Sequence, residues 1–199
     1  MRKDIRPQAM ALAIPFIKRW EGFRDTAYLC PAGKWTIGYG NTVSNGKPVK
    51  KGDKLTKEDA DKLVVKTVAT FMDGVLKVVK YPYLSPNQLA ALTSFAFNVG
   101  MGAFMASTML KMINLGNVAG AAEQFKRWDK ATVNGKLVQL AGLTSRRKQE
   151  RELFNGSFLG FDKPVQGSSP SALPTQTKVP QIAQVPENPD PQEAPEELA

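Results

Sequence analysis

The chain has no histidine, a single cysteine and no apolar run approaching the roughly 20 residues that a membrane-spanning helix needs. Without histidine there is no Ser-His-Asp or Cys-His relay, and the commonest metal ligand is gone. One cysteine, Cys30, forbids an intramolecular disulfide. Any hydrolytic chemistry must therefore run on carboxylates, hydroxyls or that one thiol, with no metal and no cofactor expected.

What is present is ample apolar material and an uneven charge. At 199 residues and 42% hydrophobic, the chain can bury one good core or two small lobes. The net charge is +9, yet from residue 163 onward Lys163 and Lys178 face Glu187, Asp190, Glu193, Glu196 and Glu197. That end carries −3 and the first 162 residues carry +12. Such a balance suits any polyanion, whether nucleic acid, anionic lipid or a bacterial wall with its peptide carboxylates. No basic helix interleaved with stacking aromatics occurs, so nucleic acid is not the expected partner.

Basic residues precede the apolar stretch Ala9 to Ile17, as in a signal peptide, but Pro15 interrupts it and Lys18-Arg19 closes it. The expected structure is an amphipathic first helix built on Met10, Ile14, Ile17 and Trp20 with Phe16, carrying Glu21 at its end. Short extended pieces broken by Pro31, Gly33, Gly38, Gly40, Asn45-Gly46 and Pro48 then predict a twisted hairpin or three-stranded sheet over residues 25–51. Thr56 caps a helix running to about Met72, with a break near Gly74. Ser85-Pro86-Asn87-Gln88 opens a helix over 89–98 that is apolar nearly all round, the mark of a buried central helix. Further helices are expected over about 102–115, 118–128 and 144–154. Eight of the fourteen prolines fall in the last 36 residues, where no periodic apolar face exists, so residues 162–199 read as a disordered tail behind a domain of residues 1–161.

The chemistry gathers at the first helix and the hairpin. Glu21 lies nine residues before Cys30 and fifteen before Thr36, with turn residues between them to fold the three side chains together. A carboxylic acid donates a proton near neutral pH only if its surroundings lift its pKa, and Trp20 and Phe23 promise an apolar setting for Glu21. Cys30 has three open roles: thiolate base, nucleophile, or neutral lining of a pocket. Asp25 is a rival second carboxylate, since four residues from Glu21 it would share a face if the helix continued.

The run Trp20-Glu21-Gly22-Phe23, then Tyr28-Leu29-Cys30 and Thr36-Ile37-Gly38-Tyr39-Gly40-Asn41, resembles the catalytic hairpin of phage-type lysozymes of glycoside hydrolase family 24 (the endolysins). Gln88 to Leu92, Ser94 to Gly100, Ser107 to Leu110, Arg127-Trp128, Gly142-Leu143, Arg146-Arg147, Glu150 and Leu153 extend the likeness over roughly residues 10 to 160. Cys30 departs from it, standing where family members carry an aspartate, although some phage endolysins have cysteine there. The resemblance implies an α+β, mainly helical, two-lobed fold, with a small β-sheet lobe, a helical lobe and a glycan cleft between them. It also implies cleavage of the β-1,4 bond between N-acetylmuramic acid and N-acetylglucosamine in peptidoglycan. Glu21 would be the general acid, Cys30 the helper of water or the attacking group, and Thr36 the residue that holds the water. Thr42, Phe97, Ser107 and Asn134 would contact the glycan, while Arg146-Arg147 reads as a solvated basic face or a helix-start salt bridge.

The expected partner is the glycan strand of peptidoglycan, met by a monomer that does not insert stably in membranes. It would accumulate in the host bacterial cytoplasm and reach the wall after the membrane is permeabilised. Two rivals stand beside this reading. A lytic transglycosylase needs only one carboxylic acid, and a basic wall-binding protein needs none.

Overall fold

The computed structural model describes residues 4–30, 33–133 and 135–158. The tail expected over residues 162–199 and the contact expected at Asn134 lie outside them. The order of elements is α1 (Arg6–Glu21), β1 (Arg24–Leu29), β2 (Trp35–Gly38), β3 (Val43–Ser44), β4 (Lys47–Pro48), α2 (Lys57–Val78), α3 (Pro86–Val99), α4 (Met101–Ala106), α5 (Thr108–Asn114), α6 (Val118–Gln124), a 3-10 turn (Phe125–Trp128), β5 (Lys130–Val133), β6 (Lys136–Gln139) and α7 (Ala141–Phe154). The fold is mainly helical with small antiparallel ladders, the α+β class expected.

The central helix is α3. Ser85 accepts from Gln88 N–H and the Gln88 side chain reaches back to Ser85 N–H, a reciprocal cap that fixes where the helix starts. Every residue from Leu89 to Val99 is buried, and α1, α2 and α7 pack around it. Phe95 is its hub, meeting Phe104, Phe125 and Trp128 edge to face at centroid distances of 6.2, 5.5 and 5.2 Å. Each such ring contributes about 1.5–3 kcal/mol by burial alone. The helix α1 turns Ala9, Ala13, Phe16 and Ile17 into this core and passes through Pro15 without ending.

Three expectations are corrected. The helix α2 does not break near Gly74 but continues to Val78. Met101 explains the glycine, since its Sδ and Cε lie 3.1 Å from where a Cβ would stand, so Gly74 is a packing notch. The helix expected over 102–115 is two helices divided at Ser107, and that over 118–128 finishes as a 3-10 turn. The hairpin β5–β6 was not expected at all. All four residues of β6 are exposed, so there is no buried alternation to betray a strand.

The first ladder, β1–β2, pairs Tyr28 with Thr36 and Leu29 with Trp35. Asn45-Gly46 closes β3–β4 with φ of 50° and 73°, the positive pair that a tight two-residue turn requires. An isolated bridge, Ile37 to Asn41, ties off the loop after β2. Among the described residues, no helix is long and apolar enough to cross a membrane.

Candidate active site

Glu21 is the last residue of α1. Gly22 leaves the helix at φ 67°, and its N–H donates back to Lys18 O at 3.1 Å. The chain then turns into β1 within three residues, which sets the carboxylate beside the strands that follow. Gly40, just beyond β2 at φ 91°, forms part of its surroundings: a Cβ there would lie 3.4 Å from Glu21 Oε2. Glycine therefore lets the loop approach the carboxylate without covering that oxygen.

The other oxygen is held. Arg146 Nη1 donates to Glu21 Oε1 at 2.8 Å, from a side chain only 2% exposed to one 18% exposed. The apolar crevice expected around Glu21 is thus replaced on one side by a guanidinium. Behind it lies a buried network. Glu150, fully buried, accepts from Arg146 Nε at 3.1 Å, from Ser94 Oγ at 2.7 Å and from Arg147 Nη2 at 3.3 Å. Arg147 Nε lies 2.9 Å from the second Glu150 oxygen, its Nη2 donates to Asn98 Oδ1 at 2.7 Å, and its guanidinium stacks on Phe95 at 5.0 Å. Glu150 lies between the two guanidiniums and Arg146 is shared with Glu21, and such pairing is the condition for keeping Arg146, Arg147 and Glu150 out of water.

Burial removes water from Arg146 and by itself would lower its pKa, but Glu21 and Glu150 outweigh that and hold it above the ordinary arginine value. Arg147 is pushed down to about 10, chiefly by burial, with the like charge of Arg146 adding to the shift and Glu150 opposing it. Both stay cationic at neutral pH. The solvated basic face expected of Arg146-Arg147 is therefore corrected. Ser94 and Asn98 sit four residues apart on the central helix, opposite two arginines and a glutamate at helical spacing on α7. Buried Thr93 of the same helix satisfies itself on Leu89 O, so Ser94 and Asn98 were the signal that a buried partner existed.

Cys30 and Thr36 are placed on one face by the ladder. Cys30 N–H donates to Lys34 O at 2.9 Å, continuing the Tyr28–Thr36 register, and Gly33 N–H donates to Cys30 O at 2.8 Å to close the turn. Because strand side chains alternate, Tyr28, Cys30, Lys34 and Thr36 share one face, with Cys30 and Thr36 as diagonal neighbours. Cys30 is a free thiol, half-buried. Thr36 is buried and donates its hydroxyl proton to Lys34 O at 3.1 Å, leaving its lone pairs to accept from water. Asp25 does not share a helix face with Glu21, because α1 has already ended; it is exposed on β1 and accepts from Thr26 Oγ1 at 3.1 Å.

The residues expected to contact the glycan lie on separate elements. Thr42 is half-buried in the loop before β3, and its carbonyl accepts from Val49 N–H at 2.9 Å. Phe97 is a core residue whose ring meets Phe71 at 5.2 Å. Ser107 caps α5, accepting from Leu110 N–H at 3.2 Å and donating to Phe104 O at 2.7 Å. Among the described residues, no three Cys, Asp or Glu side chains converge as metal ligands would.

Residues 18–150 match the protein family described as phage lysozyme. The endolysin of Acyrthosiphon pisum secondary endosymbiont phage 1 is 43% identical over 141 residues, covering 71% of this chain and 93% of that one. The structure of an endolysin from Escherichia coli O157:H7 phage FAHEc1 aligns with a TM-score of 0.67 at 37% identity, over 77% of this chain and 94% of that one. The muramidase domain of SpmX from Asticaccaulis excentricus aligns with a TM-score of 0.66 at 39% identity, over 71% of this chain and 93% of that one. With the family matched over residues 18–150 and a relative 43% identical over most of its own length, the chain belongs to the phage lysozyme family, as a lysozyme-type glycoside hydrolase that degrades peptidoglycan.

Proposed function

We propose that the enzyme is an endolysin that hydrolyses the β-1,4 bond between N-acetylmuramic acid and N-acetylglucosamine, with Glu21 as general acid. One observation carries this reading. Of the two Glu21 oxygens, Oε1 accepts from buried Arg146 Nη1 at 2.8 Å, while Oε2 lies beside Gly40, which has no side chain of its own to set against it. A proton donor needs that asymmetry, one oxygen held for aim and one free to carry and release the proton.

Protonating the glycosidic oxygen lets the bond break as positive charge builds on the anomeric carbon, and water or a protein nucleophile then captures that carbon. Cys30 is the side chain of the hairpin best suited to assist. As a thiolate it takes a proton from water or attacks the carbon itself, and Thr36, on the same face, accepts from the incoming water. Thr42, Phe97 and Ser107 are the proposed glycan contacts by family resemblance, with Thr42 offering a side chain and the other two supporting the wall from beneath. The glycan meets a monomer whose surplus of lysine and arginine favours the anionic wall. The enzyme is held in the host cytoplasm until the membrane is breached.

A second reading, the lytic transglycosylase, draws on the exposed position of Asp25. No second carboxylate of the hairpin is turned inward beside Glu21, and a transglycosylase dispenses with one by using the sugar's own hydroxyl in place of water. Product analysis on purified peptidoglycan separates the two, because an anhydro end is one water lighter than a hydrolysed end. A Glu21→Gln variant run beside the parent tests the acid. Loss of both products supports the assignment, and breakdown at the parental rate refutes it.

A further inference from the structure

The three residues between the Ile37–Asn41 bridge, Gly38-Tyr39-Gly40, form the loop that lies against Glu21 Oε2. Both glycines adopt positive φ, 64° and 91°, so the backbone there is the kind that pays most entropy to be held still. Tyr39 is the one side chain in the loop, and it is anchored from α1, from α2 and from the turn between α1 and β1. It is buried, and its ring packs on Phe23 at 5.7 Å and lies under Lys18 Nζ at 5.2 Å. Its hydroxyl donates to Asp61 Oδ1 at 2.8 Å, and the same oxygen takes Lys18 Nζ at 2.8 Å. Lys57 Nζ approaches the other oxygen at 3.5 Å. A single carboxylate on α2 thus ties the loop to α1, at a lysine one turn before Glu21.

We infer that Tyr39, Asp61 and Lys18 are positioning residues for the general acid: they pin the loop so that Gly40 forms the floor under Glu21 Oε2. Arg146 holds Oε1 and the pinned loop limits where Oε2 can swing, so the carboxylate at the end of α1 is confined from two directions. Without the pin the glycines let the floor drop away, Oε2 samples directions that miss the glycosidic oxygen, and the chemical step slows while glycan binding elsewhere is kept. The inference rests on Glu21 being the acid, and the test separates the two.

The measurement is kcat and KM on a soluble peptidoglycan glycan of defined length for the full-length parent, Tyr39→Phe, Asp61→Asn, Asp61→Ala, Glu21→Gln and Val68→Ala. Val68→Ala is a core truncation in α2 that removes none of the hydrogen bonds to Tyr39, and it serves as the control for lost stability. Tyr39→Phe keeps the ring and removes only the hydroxyl, so it is expected to lower kcat about tenfold with KM within twofold, an effect of imperfect aim. Asp61→Asn, which still accepts from Tyr39, is expected to retain more kcat than Asp61→Ala, and Val68→Ala to keep the parental kcat well below its melting temperature. Parental kcat in Tyr39→Phe with an inactive Glu21→Gln would overturn the positioning role and leave the acid standing. A fall in kcat matched by Val68→Ala would overturn it as a stability effect. An active Glu21→Gln would overturn the acid and this inference together.

Discussion

Replacing Glu150 by glutamine keeps the shape of the side chain and removes the charge that two buried arginines share. Glu150 is fully buried and takes Arg146 Nε, Arg147 Nη2 and Ser94 Oγ on one oxygen, with Arg147 Nε beside the other. In the variant, Glu21 is the one carboxylate left for two guanidiniums, and Arg147 keeps Asn98 Oδ1, the face of Phe95 and at best a neutral amide oxygen in place of the carboxylate. Breaking a buried pair by removing one partner costs about 3–5 kcal/mol, because the remaining charge stays out of water. Against a total stability of about 5–15 kcal/mol that is a large fraction. At roughly 2–4 °C per kcal/mol for a domain of this size, the midpoint should fall by about 6–20 °C. Thermal unfolding followed by circular dichroism, with a urea titration to check that the slope is unchanged, reads the effect. A loss under about 1 kcal/mol would refute the account, since it would mean that the arginines are paid for elsewhere. The double variant Glu150→Met with Arg147→Met sharpens the test. Removing both charges should recover much of the loss, because apolar replacements of a buried pair are often neutral or better.

Arg146→Lys keeps a charge but cannot bridge Glu21 and Glu150 at once, so kcat should fall by about tenfold to a hundredfold with folding largely intact; parental kcat would show that Glu21 needs no second anchor. In the Cys30 series, Cys30→Asp should sustain lysis, whereas Cys30→Ser and Cys30→Ala should slow it by orders of magnitude if sulfur is base or nucleophile. Full activity of Cys30→Ala in a turbidity assay would reduce the thiol to lining. The Lys18–Asp61 pair predicts a pH dependence of stability at both extremes. The hydrogen bond from Lys18, then that from Tyr39, holds Asp61 below its ordinary pKa of 3.8, so its contribution is present above that value and lost as pH falls through the lower folded value. The hydrogen bond to Asp61 holds Lys18 above 10.5 despite some burial, so its contribution is present below that value and lost as pH rises past it. Asp61→Asn should therefore flatten the unfolding midpoint at both ends, and an unchanged acid limb would contradict the pairing.

Local features were legible in the sequence because their causes are local. Ser85 with Gln88 announced the start of α3, Asn45-Gly46 the tight turn, and Gly33, Gly38 and Gly40 the bends of the hairpin, each through a backbone requirement that neighbours in sequence satisfy. Gly74 and the division at Ser107 were not legible, because they answer to partners: the Met101 side chain fills the place of a Cβ, and Ser107 leaves one helix to cap the next. The setting of Glu21 was misread for the same reason. Trp20 and Phe23 argued for an apolar crevice, yet what reaches the carboxylate is Arg146, 125 positions further along the chain. Two adjacent arginines on a helix ordinarily face water, and Ser94 and Asn98, polar side chains in the buried part of the central helix, argued that this pair turned inward. A glutamate at the end of one helix acquires direction when a second helix brings a charge to it, and the second helix must be held by a third. That is why the acid, its arginine and the buried glutamate behind them belong to one unit of stability and aim, and why Glu150, which is fully buried, should move both melting temperature and kcat when it is changed.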